Sequence, residues 1–150
     1  MKLSQRPYVG GILAYRKHLA RPCVESSKIT KDERELLLES RFRVEVIMRA
    51  TFGSIDLPSV VRVFETTEHE ASRFIAGMRC WNGVIGIWHE VLREGKEYPA
   101  YILNTLLHEY CHYVLSLEDD PPPYHGSAWR TTYLRAMKTW MTFRRAGCPV

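Results

Sequence analysis

Two histidines four residues apart with a glutamate beside the first, in the run His108-Glu109-Tyr110-Cys111-His112, are the side chains of this sequence best suited to chemistry. Residues i and i+4 of a helix lie on one face a turn apart. Both imidazoles therefore reach one tetrahedral zinc, while Glu109 projects beside them toward a water on the metal. Zinc lowers the pKa of such a water to about 7, and a neighbouring carboxylate takes its proton and passes it to a leaving amine. The chemistry implied is hydrolysis of a peptide bond. The bland alternative is two satisfied histidines and a surface glutamate pairing with an arginine. It leaves three polar residues on an otherwise apolar helix, with a burial cost that a metal would remove.

A catalytic zinc takes three protein ligands and keeps one position open. No Asp or Glu follows Asp120, so a glutamate ligand from far down the chain is excluded on that side. A third histidine ten residues after the first is excluded too, because Leu115 and Glu118 stand where that pattern needs glycine and histidine. His125 remains. It follows a stiff loop and precedes Gly126, which eases a tight turn, so it can reach the first two histidines from outside their helix. Glu118, Asp119 and Asp120 are competitors that would otherwise cap the helix end or meet solvent, and Cys148 is a remote alternative.

Several elements must position these residues. Pro99 and Ala100 open a helical pattern over 99–117 that is apolar around most of its circumference through Ile102, Leu103, Leu106, Leu107, Tyr110, Val114 and Leu115. Such a helix is central and buried. Residues 118–124, with two aspartates and three consecutive prolines, end it as a rigid loop. A last helix over 127–144 repeats Trp129, Tyr133, Met137, Trp140 and Met141 at helical spacing and turns its basic residues outward.

Upstream, Thr30 and Glu33 form a capping box before an amphipathic helix over 31–52, whose inner face carries Leu36, Leu37, Ser40, Val44, Ile47, Met48 and Thr51, with Gly53 as its stop. A shorter helix is expected over 11–20, and a loop over 22–28. Val60, Val61, Val63 and Phe64 predict a strand, and 74–81 with 84–88 around Asn82-Gly83 predict a hairpin with a two-residue type I′ turn, so the sheet over 60–91 should be small and mostly antiparallel.

The pair of motifs His108-Glu109-x-x-His112 and His125-Gly126-x-x-Trp129-Arg130 resembles the SprT-like metallopeptidases, which include Spartan and Wss1-type proteases. The resemblance covers about residues 60–143, and the helix over 31–52 in outline. It implies an α+β minimal zincin in one domain over 1–150, with an N-terminal helical part over 1–53, the sheet packed against the active-site helix, and the basic helix last. His108, His112 and His125 would hold zinc and Glu109 would activate the water. It also implies a polypeptide substrate, with DNA-associated proteins as the class that the best-known members digest. Two features depart from the family: no cysteine pairs follow the core to build the zinc ribbon many members carry, and their separate DNA-binding elements are not recognisable.

Secondary candidates surround this core. Tyr124 and Tyr133 are possible oxyanion donors, against the commoner role of packing. His89, at the end of the hairpin strand, reads as a surface residue. The strand over 84–88, if it is an edge, would hold an extended substrate by strand addition; otherwise it is sheet core. Cys111 reads as a small buried hydrophobe.

Composition sets the outer bounds. At 150 residues and 17.5 kDa, with 45% hydrophobic and 25% charged residues, the chain excludes a collagen-like repeat, long disorder or a disulfide miniprotein. No apolar run approaches the roughly 20 residues of a membrane span, and the N-terminus pairs Lys2 and Arg6 with no leader-like stretch, so an intracellular protein is expected. Cys23, Cys80, Cys111 and Cys148 contain no C-x-x-C pair, which leaves reduced thiols as the default. The net charge of +4 is concentrated: after Asp120 there is no carboxylate side chain, only Arg130, Arg135, Lys138, Arg144 and Arg145. That helix is a candidate DNA surface or a solvated face. The rival function from another class is a zinc-stabilised module binding nucleic acid or protein without protease activity, which needs a fourth protein ligand. An amidase acting on a small or cell-wall substrate is a third.

Overall fold

The computed structural model describes residues 23–66, 77–79, 84–117 and 125–148. The elements run β1 (Cys23–Glu25), α1 (Lys31–Phe52), β2 (Val60–Thr66), β3 (Gly77–Arg79), β4 (Val84–Trp88), α2 (His89–Gly95), α3 (Pro99–Ser116) and α4 (Ser127–Arg145), an α+β arrangement. The helix expected over 11–20 and the loop over 118–124 lie outside the described residues.

Local rules account for the long helices. Thr30 and Glu33 close the capping box in both directions at the start of α1, and Gly53 ends it with a φ of 77°, a conformation open to glycine. Glu33, Leu37, Ser40, Val44, Ile47 and Met48 form the buried stripe between. Pro99 opens α3, which is buried on nearly every side because it touches α1, α2, α4, β3 and β4. On α4 burial is confined to Trp129, Ala136 and Trp140, and the other face meets solvent. No described helix is long and apolar enough to cross a membrane.

The sheet departs from expectation at its centre. Its order is β1-β2-β4-β3, and the central pair is parallel, with Val60 opposite Val84 and Phe64 opposite Trp88. β1 and β3 flank that pair, each antiparallel to its neighbour. A parallel pair needs a crossover of about a dozen residues or more, and the stretch from Thr66 to Val84 supplies it by running to the far edge as β3 and returning inside it as β4. The near-continuous apolar run of β4 fits a strand covered on both faces, with Ile85, Ile87 and Trp88 fully buried.

Two further expectations are corrected. Residues 23–25 belong to a strand rather than a loop, because a three-residue edge strand is too short to show any alternation. β3 and β4 pair antiparallel as expected, with Arg79 opposite Ile85, and the turn expected on Asn82-Gly83 lies outside the described residues. The sheet ends at Trp88, and residues 89–95 form α2. This helix has no side-chain cap at its start, which is why no capping signature announced it.

Candidate metal centre

The buried body of α3 fixes the first two histidines, and the turn leading into α4 delivers the third. His112 is buried, His108 is half-buried and His125 is exposed, so the cluster opens on one side. Nε2 of His108 lies 3.1 Å from Nε2 of His112 and 2.9 Å from Nε2 of His125. All three candidate ligand atoms fall within 4.8 Å of one another. Three imidazoles bound to a tetrahedral zinc at 2.0–2.1 Å would hold their nitrogens about 3.3 Å apart, so the observed spacing suits one small ion.

The electrostatics agree with that donor set. Burial, reinforced by the nearby His125, pushes His108 down to about 4, and burial with the charge of Arg130 lowers His125 as well. Neutral imidazoles present the lone pairs that zinc needs. Glu109 is 3% exposed, and its Oε1 is 3.9 Å from Nε2 of His108, beside the point where the three nitrogens converge.

His125 adopts a φ of 54°, the left-handed region, which costs an ordinary residue about 1–2 kcal/mol. Gly126, expected to ease the turn, is instead extended and serves as the N-cap of α4, its carbonyl accepting the Arg130 N–H at 3.0 Å. The residue with the strained backbone is therefore the third candidate ligand itself. Trp129 packs against all three imidazoles, with ring centroids 4.6 Å from His108, 5.0 Å from His112 and 4.6 Å from His125. Tyr133 stacks on Trp129 at 4.9 Å, and its hydroxyl donates to Asn104 Oδ1. That commitment turns the Tyr133 hydroxyl toward Asn104 rather than toward an oxyanion.

Asn104 escaped the sequence reading. The available signal was its place one turn before His108, a polar residue on an otherwise apolar helix.

The remaining candidates separate cleanly. Glu118, Asp119, Asp120 and Tyr124 lie outside the described residues, and Cys148 is exposed beyond the end of α4 and takes no part in the cluster. Cys111 is fully buried, and burial with the nearby Glu109 pushes its thiol up to about 12, so it is inert as a nucleophile. The strand over 84–88 is interior rather than an edge, because β3 covers its outer side, so it is not available for strand addition.

His89 is the largest correction: it is 1% exposed, not a surface residue. Its Nε2–H donates to Glu33 Oε2 at 2.8 Å, while Nδ1 meets Ser26 Oγ at 2.8 Å, Glu65 Oε1 at 3.1 Å and Arg93 Nη2 at 3.2 Å. α2 begins at His89, so the ring points inward between α1 and β2. The five cations of α4 are all exposed; Arg135 also lies over the Phe52 ring and Arg144 over Trp140.

No family model matches the chain, and no curated protein or solved structure matches it either.

Proposed function

We propose that this chain is a zinc-dependent metallopeptidase of minimal zincin type that hydrolyses peptide bonds. The observation that carries it is the convergence of three imidazole nitrogens on one point with the Glu109 carboxylate beside it. Three candidate protein ligands among the described residues, with a carboxylate beside them, is the composition of a catalytic rather than a structural zinc site. The two motifs that resemble the SprT-like metallopeptidases supply these same residues.

His108, His112 and His125 would hold the ion. Zinc in that position polarises a water and the scissile carbonyl. Glu109 takes a proton from the attacking water as its oxygen bonds to the carbonyl carbon. The carboxyl group then returns that proton to the amide nitrogen as the C–N bond breaks, so protons balance over the cycle. Trp129 walls the imidazoles on one side and leaves the other open to substrate. The exposed cations of α4, with no neighbouring carboxylate downstream of Asp120, favour polypeptides associated with DNA as substrates.

The test is cleavage of a denatured protein by the zinc-loaded chain and by Glu109→Gln, each with and without single-stranded DNA. Wild type should cleave, and Glu109→Gln should retain zinc but lose activity by at least about 10²–10⁴-fold. Stimulation by DNA would support the DNA-associated substrate. Zinc bound without cleavage under either condition would favour the zinc-stabilised binding module.

A further inference from the structure

The third ligand is the least secured member of the cluster. His108 and His112 are fixed by the body of α3, whereas His125 is exposed, lies outside any helix and holds a left-handed backbone. Its Nε2 lies 2.9 Å from that of His108, and α4, which starts two residues later, packs directly against it.

The main contact made by α4 is Trp129, whose ring touches all three imidazoles, and Tyr133 adds an edge-on contact with His108. The Trp129 indole N–H is buried and has no hydrogen-bond partner among the described residues, so stacking rather than hydrogen bonding orients this ring. Its stacking partner on the same helix is Tyr133, at an interplanar angle of 11°. Tyr133 is in turn tied by its hydroxyl to Asn104, on α3 one turn before His108. This hydrogen bond joins α4 to the helix that carries His108 and His112, and it acts through two stacked rings on the imidazoles.

The geometry points to Tyr133 and Asn104 as positioning residues of the metal centre. Their hydrogen bond holds the Tyr133–Trp129 stack against the three histidines and so keeps His125 at metal-binding distance. This assignment rests on the histidines being metal ligands, but not on proteolysis. Neither residue would touch the ion; Asn104 acts through Tyr133, and Tyr133 acts through Trp129 and through its own edge-on contact with His108, at 6.1 Å between ring centroids.

Zinc affinity, read by competition with a chromophoric chelator, tests this without reference to activity. The variants are Tyr133→Phe, which keeps the stacked ring and deletes the hydroxyl, Asn104→Ala, and the two combined. The control is Thr139→Val on the same helix, which removes the 2.7 Å hydrogen bond from Thr51 to Thr139 that ties α4 to α1. Circular dichroism checks that each variant is folded, and Tyr133→Phe carries the test if Asn104→Ala does not fold. Each single variant should bind zinc about tenfold more weakly, the lower end of the range for outer-shell partners of a metal site. The double variant should lose no more than either single one, because both delete the same bond. Thr139→Val should stay within about twofold of wild type, since the affected bond lies away from the imidazoles. The visible spectrum of the cobalt-substituted protein should change in Tyr133→Phe and not in Thr139→Val.

Wild-type affinity in Tyr133→Phe, an equal loss in Thr139→Val, or losses that multiply in the double variant would each overturn the assignment. A wild-type chain that binds no zinc would overturn the metal centre itself, and this assignment with it.

Discussion

Among the described residues, the surroundings of His89 and of the His108, His112 and His125 group are built on opposite principles. At His89 both ring nitrogens face oxygen, from Glu33 on one side and from Glu65 and Ser26 on the other, with Arg93 alongside. At His108, His112 and His125 nitrogen faces nitrogen. Burying a polar ring costs free energy unless its hydrogen-bonding capacity is met. The first cluster meets it with the fold's own acids and thereby joins α1, β2 and α2 at one point. The second gathers donors of like kind around a shared point, which suits an ion better than any internal partner. His89 and His112 are both about 1% exposed, and their neighbours distinguish a structural cluster from a candidate ligand set.

Substitutions at the two clusters should therefore separate binding from stability. The largest expected effect is His112→Ala, which removes a buried ligand and should weaken zinc binding beyond the roughly 100-fold upper range for outer-shell residues, as measured by chelator competition. His89→Ala should leave zinc affinity within about twofold if the clusters are independent, as distant sites usually are. Instead it should destabilise the fold by about 2 kcal/mol in urea unfolding of the zinc-saturated protein, because it removes the buried hydrogen-bond partner of Glu33 Oε2 and leaves only the Thr30 bond to Oε1. If His89→Ala abolished zinc binding in a folded protein, the two regions would be one site.

Acidification sharpens the same contrast. Burial alone would raise the Glu33 carboxyl, but hydrogen bonds from Thr30 and the contact with His89 outweigh it and hold it below its ordinary value. Arg93 chiefly lowers Glu65, against a burial effect and with help from His89. A depressed carboxylate contributes stability that is present above its unfolded pKa of about 4.5 and is lost as pH falls through its folded value. The stability difference between wild type and Glu33→Gln, measured without zinc, should therefore shrink as pH drops below about 4.5. A constant difference across that window would mean that Glu33 is not depressed. The smallest effect expected is Thr30→Ala, which removes the cap of α1 and should cost about 1 kcal/mol with no change in zinc affinity.

How much of this was legible in the sequence follows from the range of the signals. Thr30, Glu33 and Gly53 act within a turn of where they stand, and the helix they bound runs over the expected residues. The zinc-motif helix was readable for the same reason, from Pro99 and an apolar circumference. His125 could be named by elimination along the chain, and it converges with the other two histidines. The sheet was less legible because strand order is a long-range property: nothing near Val60 states that it pairs with Val84 in parallel. His89 was misread because its partners Glu33 and Glu65 stand 56 and 24 residues away and come together only through the fold. Asn104 and Tyr133, 29 residues apart, were separated by the same kind of distance.

The central claim is that three imidazoles hold a zinc ion and leave one position open. Zinc-edge X-ray absorption on the purified, zinc-loaded chain addresses it directly. One zinc per chain, with three imidazole nitrogens at about 2.0–2.1 Å and one further light-atom ligand that exchanges with added anions, is the expected result. A zinc closed by four protein ligands, with sulfur or a fourth imidazole in its shell, or a folded chain that takes up no zinc, would contradict it.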